Sequence, residues 1–191
     1  EIIANAYLNA GELVNHKPRD ASGTACGGTG DLAGWDCNGD GRVSIADLQA
    51  QYDFVISGRD KMNAINKTIL EIRKVNTQLT DLKTKVKDEA LKAEIDSLAT
   101  ISGDIEKTLY QTKNRSPQDP LNYPIRLNNK YGHVLALATI GFNRPTASMM
   151  EVEKELRTLI DAELNKWENT KSALNGLNIK IRNAEVPFVT W

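Results

Sequence analysis

The feature of this sequence that most constrains its fold is a pair of long apolar stripes whose residues are spaced by three and four, the first of which breaks off after Val55 and resumes after Gly58 at Ile65. The first contains Leu48, Tyr52, Val55, Ile65, Ile69, Ile72, Val75, Leu79, Leu82 and Val86, and the second contains Leu91, Ile95, Leu98, Ile101, Ile105 and Leu109. This spacing places the side chains on one face of an α-helix. The first stripe predicts a helix of roughly 40 residues, about 60 Å long, with Ser57-Gly58 as a position for a kink. Because the connection between the stripes is short, the two helices are predicted to pack antiparallel.

Two further helices are predicted after a proline-rich segment. Residues 116–124 read SPQDPLNYP and hold three of the six prolines, so they are not expected to be helical throughout. Residues 125–140 predict a third helix, and a fourth is predicted to begin with a capping box formed by Ser148 and Glu151. The inward residues predicted for these two helices are Leu127, Tyr131, Val134, Leu135, Ala138, Val152, Leu156, Leu159, Ile160, Leu164, Trp167, Leu174, Leu177 and Ile181. The predicted fold class is therefore all-α, with about four long helices in an antiparallel bundle over residues 48–191.

Residues 36–47, DCNGDGRVSIAD, show the ligand spacing of an EF-hand calcium loop. The predicted ligands are Asp36, Asn38, Asp40, the main-chain carbonyl of Arg42, Ser44 and Asp47. Gly41 stands at position 6, where the loop must turn sharply. Position 12 is Asp47 rather than Glu, and its shorter side chain reaches the ion less easily with both oxygens. The competing interpretation is an acidic, glycine-rich surface turn.

Residues 1–47 are predicted to form an N-terminal segment that carries this loop, with Cys26 and Cys37 as the only cysteines. A disulfide between them would close a small ring and add about 2 to 3 kcal/mol to stability. Two free thiols in a cytosolic protein are the alternative. A zinc site is not expected, because His16 and His133 are not spaced as zinc ligands are with these cysteines.

Charge and hydropathy exclude some kinds of partner. The chain has 24 basic and 25 acidic residues and no basic block, so nucleic acid is not an expected partner. No apolar run approaches the ~20 residues of a membrane span. The sequence opens on Glu1 rather than Met, which indicates a removed signal peptide or a piece of a longer protein. Together with calcium and a disulfide, this predicts an extracellular or cell-surface location.

The sequence does not predict an enzyme. Di-iron helical bundles use Glu-x-x-His pairs, and neither His16 nor His133 has a Glu three residues before it. The acidic residues of the last predicted helix are interpreted as a solvated face. One polar cluster in and after the proline segment is predicted to cap helix ends and tie that segment to the bundle, with a ligand site as the alternative. It comprises Asp119, Asn122, Tyr123, Arg126 and Asn128.

Two resemblances follow from these residues. The loop, with Asp47 at position 12, resembles the calcium loops of bacterial dockerin modules, which carry two such loops, whereas one is found here. Most of residues 47–189, and above all QDPLNYPIRLNNK, is similar to the C-terminal helical region of secreted bacterial proteins with sortilin-like or BNR repeats, which are glycosyl-hydrolase-like. In that family a β-propeller precedes the helices. The resemblance implies an extracytoplasmic accessory bundle and carries over no catalytic residue.

The function predicted from the sequence is a non-catalytic, calcium-stabilised extracellular structural or interaction module, with self-assembly at the cell surface as one form of that role. The alternatives are an accessory domain of a secreted propeller glycosyl-hydrolase-like enzyme and a dockerin-like, calcium-dependent protein-binding module. The stripe from Ile65 to Val86 also fits a coiled coil between several chains. The apolar tail, EVPFVTW, is expected to return to the bundle or to meet a neighbouring chain.

Overall fold

The computed structural model describes residues 45–140, 144–183 and 189–191. It contains four α-helices: α1 (Ile45–Lys85), α2 (Glu89–Leu109), α3 (Leu127–Ala138) and α4 (Ala147–Asn183). A single 3-10 turn, Asp119–Leu121, lies between α2 and α3. The four helices pack against each other, and these residue ranges contain no β-strand. The all-α prediction is confirmed.

The helix α1 is the longest element and it is uninterrupted. Its 41 residues correspond to about 62 Å, and they run through Ser57 and Gly58 without a break in the helix. The apolar residues predicted for its second half, together with Val86 just beyond it, are all buried: Ile65, Ile69, Ile72, Val75, Leu79, Leu82 and Val86 are at most 4% exposed. At the first half, Tyr52 is 43% exposed.

Residues 61–132 and 154–191 form the larger of two compact units. In this unit α2 runs antiparallel to α1, as predicted, because Arg73 pairs with Glu106 and Lys83 pairs with Asp96, both at 2.6 Å. By contrast α4 runs parallel to α1. Lys61 of α1 pairs with Asp161 of α4 at 2.5 Å, and further along both helices Glu71 of α1 meets Trp167 and Lys171 of α4.

The buried face of α2 differs from the prediction at one position. Ile101 is 45% exposed, and Ser102 is fully buried in its place. The inward residues of α2 are Ile95, Leu98, Ser102, Ile105 and Leu109. The Ser102 hydroxyl is satisfied there, because it lies 2.8 Å from the Leu98 carbonyl and 2.6 Å from Asn76 Oδ1 of α1. In α4, Val152 and Leu159 are likewise exposed rather than inward.

The helix ends also depart from the sequence prediction. The cap of α4 is Thr146 rather than Ser148, since the Thr146 hydroxyl accepts a hydrogen bond from the main-chain N–H of Met149 at 3.2 Å. At its other end α4 extends to Asn183. The helix α2 ends at Leu109, where Tyr110 adopts extended backbone angles, φ −135° and ψ 143°.

The described residues among 1–60 and 133–153 form the smaller unit, and within it α1 runs antiparallel to α3. The side chain of Gln51 donates a hydrogen bond to the carbonyl of Ala138 at 2.8 Å, which satisfies one of the free carbonyls at the end of α3. Gly58 faces Leu135 so closely that a Cβ atom at Gly58 would lie 2.1 Å from Leu135 Cδ2. The absence of a side chain at Gly58 therefore allows this close packing.

Replacing Gly58 with Ala is expected to lower the free energy of unfolding by about 1 to 3 kcal/mol, because the added methyl group forces Leu135 out of its place. Urea unfolding followed by circular dichroism measures the change. The matched control is Gly103→Ala in α2, where nothing lies within 4 Å of the added Cβ. This control is expected to gain about 0.5 to 1 kcal/mol from helix propensity. Equal effects of the two substitutions would contradict the close packing at Gly58.

Candidate functional site

The predicted calcium loop meets the described structure only at the start of α1. Asp36, Asn38, Asp40, Arg42 and Ser44 lie outside the described residues, as do Cys26 and Cys37. Asp47, at position 12 of the loop, is the third residue of α1, which begins at Ile45. In an EF-hand a helix leads away from the loop, and the predicted loop is followed in sequence by α1. The calcium ligands remain a prediction.

Within the residues described, no three His, Cys, Asp or Glu side chains come together as a metal-binding group. None of the described helices is long and apolar enough to cross a membrane.

A partly buried charged group of the larger unit lies between α1 and α4. Trp167 is fully buried, and its indole N–H donates a hydrogen bond to Glu71 Oε2 at 3.0 Å. Lys171 Nζ lies 3.0 Å from the same oxygen and 2.8 Å from Glu168 Oε1. Lys171 Nζ also lies 5.9 Å from the centre of the Trp167 ring, within cation–π range. This group fixes α4 against α1, and it gives the buried indole N–H of Trp167 the hydrogen-bond acceptor that it needs.

Two opposing effects set the pKa of Glu71. Burial raises the pKa, but hydrogen bonds from Trp167 and Lys171 and the charges of Lys171 and Lys67 outweigh it, so the pKa lies below its ordinary value of 4.5. For Lys171, burial lowers the pKa, whereas the bonds and charges of Glu168 and Glu71 raise it above 10.5. Both shifts favour the charged forms, which is the behaviour of a structural ion pair.

The proline segment between α2 and α3 is held by two polar side chains. The carboxylate of Asp119 accepts hydrogen bonds from the main-chain N–H groups of Arg115 and Ser116 and from the Ser116 hydroxyl. These backbone bonds hold the pKa of Asp119 below its ordinary value. Gln111, only 5% exposed, donates to the Pro124 carbonyl at 2.7 Å and accepts from the Lys113 N–H. The partners of the Asp119 carboxylate are Arg115 and Ser116, so these bonds brace the segment itself. That Asp119 ties the segment to the bundle remains a prediction, and Gln111 was not predicted.

The remaining members of that polar cluster leave the ligand-site alternative open. Asn128 is buried and accepts a hydrogen bond from the next main-chain N–H, of Asn129, at 2.8 Å. Arg126 Nε and, in the same segment, Asn114 Oδ1 are buried without a hydrogen-bond partner among the described residues. These two atoms are one donor and one acceptor.

Residues 189–191, the described end of the apolar tail, lie against the larger unit, which is one of the two outcomes expected from the sequence. Val189 is 2% exposed. The side-chain amide of Asn178 in α4 makes two bonds to the main chain of Val189, donating to its carbonyl at 2.9 Å and accepting from its N–H at 2.8 Å. Gln78 in α1 binds the main chain of Thr190 in the same way, at 2.5 Å and 2.7 Å.

A groove of about 470 Å³ lies beside the tail. It is lined by Asn175, Asn178, Ile179, Arg182, Val189, Thr190 and Trp191. The sequence carries one signal for this site. Asn178 stands next to Leu177 on the inward face of α4, where a polar residue needs a partner. Gln78 carries no such signal, because it lies on the more polar side of α1.

Comparison with known proteins finds no matching family model, no similar curated protein and no similar solved structure. The dockerin-like and BNR-repeat resemblances therefore remain predictions from the sequence.

Replacing Glu71 with Gln tests the group between α1 and α4. Because the pKa of Glu71 is lower in the folded than in the unfolded chain, its stabilising effect is present above about pH 4.5 and is lost as the pH falls below that value. We expect the variant to lose about 1 to 3 kcal/mol of unfolding free energy at pH 7, and a smaller amount as the pH falls below 4.5 toward 3. Urea unfolding at both pH values measures this difference.

The matched control is Asp81→Asn, because Asp81 is 63% exposed and pairs with Lys85 within α1. Its effect is expected to stay within about 0.5 kcal/mol at both pH values. A Glu71→Gln effect as small as that of the control, or one that does not change with pH, would contradict the structural role of the Glu71 carboxylate.

Proposed function

We propose that this chain is a non-catalytic, calcium-stabilised extracellular module with a structural or protein-interaction role. The observation that carries the proposal is that residues 45–47, the last three positions of the twelve-residue calcium loop of the sequence, are helical and continue into α1. In an EF-hand the last loop positions belong to the helix that leads away from the loop.

The chemistry of the loop supports calcium over other metals. Asp36, Asn38, Asp40, Ser44 and Asp47 offer oxygen atoms, as the Arg42 carbonyl does, and hard cations such as calcium prefer oxygen ligands. A bound ion would tie residues 36–44 to the start of α1. At a concentration ~100 times its dissociation constant, calcium adds about 2.7 kcal/mol to stability.

The cysteines support an oxidising, extracellular setting. Cys37 is the second residue of the loop, and Cys26 precedes it by eleven positions. A disulfide between them would restrain the same segment that calcium organises, and it would contribute about 2 to 3 kcal/mol. Calcium and the disulfide together would stabilise a glycine-rich segment that has few apolar residues for a core.

The charged residues of the bundle support a structural role. In the larger unit, ion pairs connect one helix with the next, as in Arg73 with Glu106 of α2 and Lys180 of α4 with Glu94 of α2. The pKa values of Glu71 and Lys171 are both shifted toward the charged state, whereas a general acid or base has a pKa shifted toward the working pH. These side chains hold helices together.

The calcium site is tested by calorimetric titration of chelator-treated protein. We expect one ion to bind with a dissociation constant on the order of 10⁻⁴ to 10⁻³ M or tighter, as in extracellular modules, and the melting temperature to rise with calcium. Asp40→Ala is expected to abolish both effects. The control Asp31→Ala lies outside the loop and is expected to leave both unchanged. Absence of heat together with an unchanged melting temperature would overturn the proposal.

Light scattering with and without calcium then distinguishes calcium-controlled assembly from a purely structural role of the ion. A mass that rises on addition of calcium supports assembly controlled at the loop. A constant mass with one ion bound supports a structural clamp.

A further inference from the structure

We propose that Gln78 and Asn178 form a receptor for the main chain of a peptide segment, and that its occupant, residues 189–191, exchanges with the same segment of a second copy of this chain. The proposal names the partner for the interaction role above, and in that sense rests on it. Its residues all lie in the larger unit, at a distance in sequence from the calcium loop, so the two proposals are tested by separate experiments.

The hydrogen bonds define the shape of the peptide that this receptor takes. One amide, of Asn178, binds both the N–H and the carbonyl of Val189, so these two groups point to the same side. Gln78, on a different helix, does the same for Thr190. Paired bonding to one residue, with alternation between neighbouring residues, is the pattern of an extended strand. The receptor therefore binds extended main chain between α1 and α4.

The selectivity of the receptor comes from one side chain. Main-chain hydrogen bonds do not distinguish one sequence from another, whereas pockets for alternate side chains do. Val189 is 2% exposed, while Thr190 is exposed and Trp191 is 41% exposed. The ligand class is therefore an extended segment with a branched apolar residue at the position of Val189.

A second copy of the chain is the partner that meets these requirements, because it carries the same residues 189–191. Gln78 and Thr190 are 112 positions apart, so this half of the contact forms only after most of the chain has been made. The same tail from another copy would make identical hydrogen bonds, and exchange of an identical element is a low-cost route to a dimer.

The groove supplies a reason for the exchanged form to gain stability. Ile179 is 63% exposed and Trp191 is 41% exposed, and both line the groove beside the tail. The resident segment leaves these apolar surfaces in contact with water. A second copy brought to this site by its tail would cover them, and burial of apolar area favours association.

The test uses full-length chains in which the tail or the receptor is altered. Val189→Asp places a charge at a buried position and is expected to release the tail, leaving an empty receptor. A fluorescent peptide of residues 184–191, AEVPFVTW, is titrated with this variant and with the unaltered protein. We expect saturable binding with an apparent Kd at least ~10-fold lower for the variant, because the attached tail competes at a high effective concentration.

Three controls define the site. A peptide with Asp in place of the valine that corresponds to Val189 is expected not to bind. Adding Gln78→Ala and Asn178→Ala to the Val189→Asp chain is expected to abolish peptide binding. Adding Asn175→Ala instead, at another groove residue, is expected to leave the Kd within about twofold.

If Val189→Asp reduces the helical circular dichroism, Thr190→Pro takes its place. Proline at this position has no main-chain N–H to donate to the Gln78 side chain.

The exchange itself is tested by mixing two full-length variants. One is Val189→Asp, with an empty receptor, and the other carries Gln78→Ala and Asn178→Ala, with an intact tail and a defective receptor. Size-exclusion light scattering is expected to show a one-to-one dimer in the mixture and monomers for each variant alone.

Each outcome supports or overturns a stated part of the proposal. Peptide binding with dimer formation supports the proposal. Peptide binding without a dimer overturns the second-copy assignment and leaves a receptor for a peptide of another protein. No peptide binding to a helical variant overturns the receptor, whatever the calcium titration gives.

Discussion

The described structure depends on the continuous apolar stripe of α1. Each large apolar side chain that is removed from water contributes about 1.5 to 3 kcal/mol, and the stripe from Ile65 to Val86 is almost completely buried. In the larger unit α2 and α4 both pack with α1, the first antiparallel and the second parallel. A charge introduced at the fully buried Ile72 or Val75 would therefore disturb more than one helix contact.

Buried polar groups then fix how far each helix slides along α1. An apolar face alone tolerates small shifts, whereas a buried donor must meet its acceptor. Ser102 of α2 meets Asn76, the Trp167 indole of α4 meets Glu71, and Gln111 holds Pro124. Asn178 does the same for Val189. Most of these partners belong to different elements, so each bond sets a relation that helix propensity does not.

The sequence predicted the helices well because long apolar periodicity averages over single residues. It predicted the burial of residues from Ile65 to Val86, the antiparallel packing of α1 with α2 and the length of α1. The prediction was wrong at positions where a single contact determines which residue is buried or which residue caps a helix. Ile101 was expected inside, but Ser102 takes that place because its hydroxyl finds partners. Ser148 was predicted as the N-terminal cap of α4, but Thr146 is the cap. Which residue caps the helix depends on where the chain enters α4 after the buried Pro145.

The predicted site and the described structure overlap only slightly. Asp47 is placed in the first turn of α1, and the other calcium ligands and both cysteines lie outside the described residues. The tail was expected to pack on the bundle or on a neighbour. The sequence did not predict that Gln78 and Asn178 together bind this tail, because two amides that are 100 positions apart form no recognisable sequence pattern. The parallel direction of α4 was not predicted either, since the contacts that show it join residues 96 to 100 positions apart.

The parallel packing of α1 with α4 has a consequence for the order in which the chain folds. The contacts of α1 with α2 join residues 13 to 33 positions apart, whereas Lys61 and Asp161 are 100 positions apart. Closing a longer loop costs more entropy, so we expect the α1–α2 hairpin to form first and α4 to dock onto it later. On a ribosome that adds about 5 to 20 residues per second, those 100 residues take about 5 to 20 s. For that time the side of α1 that α4 later covers is exposed, and a chaperone or a neighbouring nascent chain can bind there.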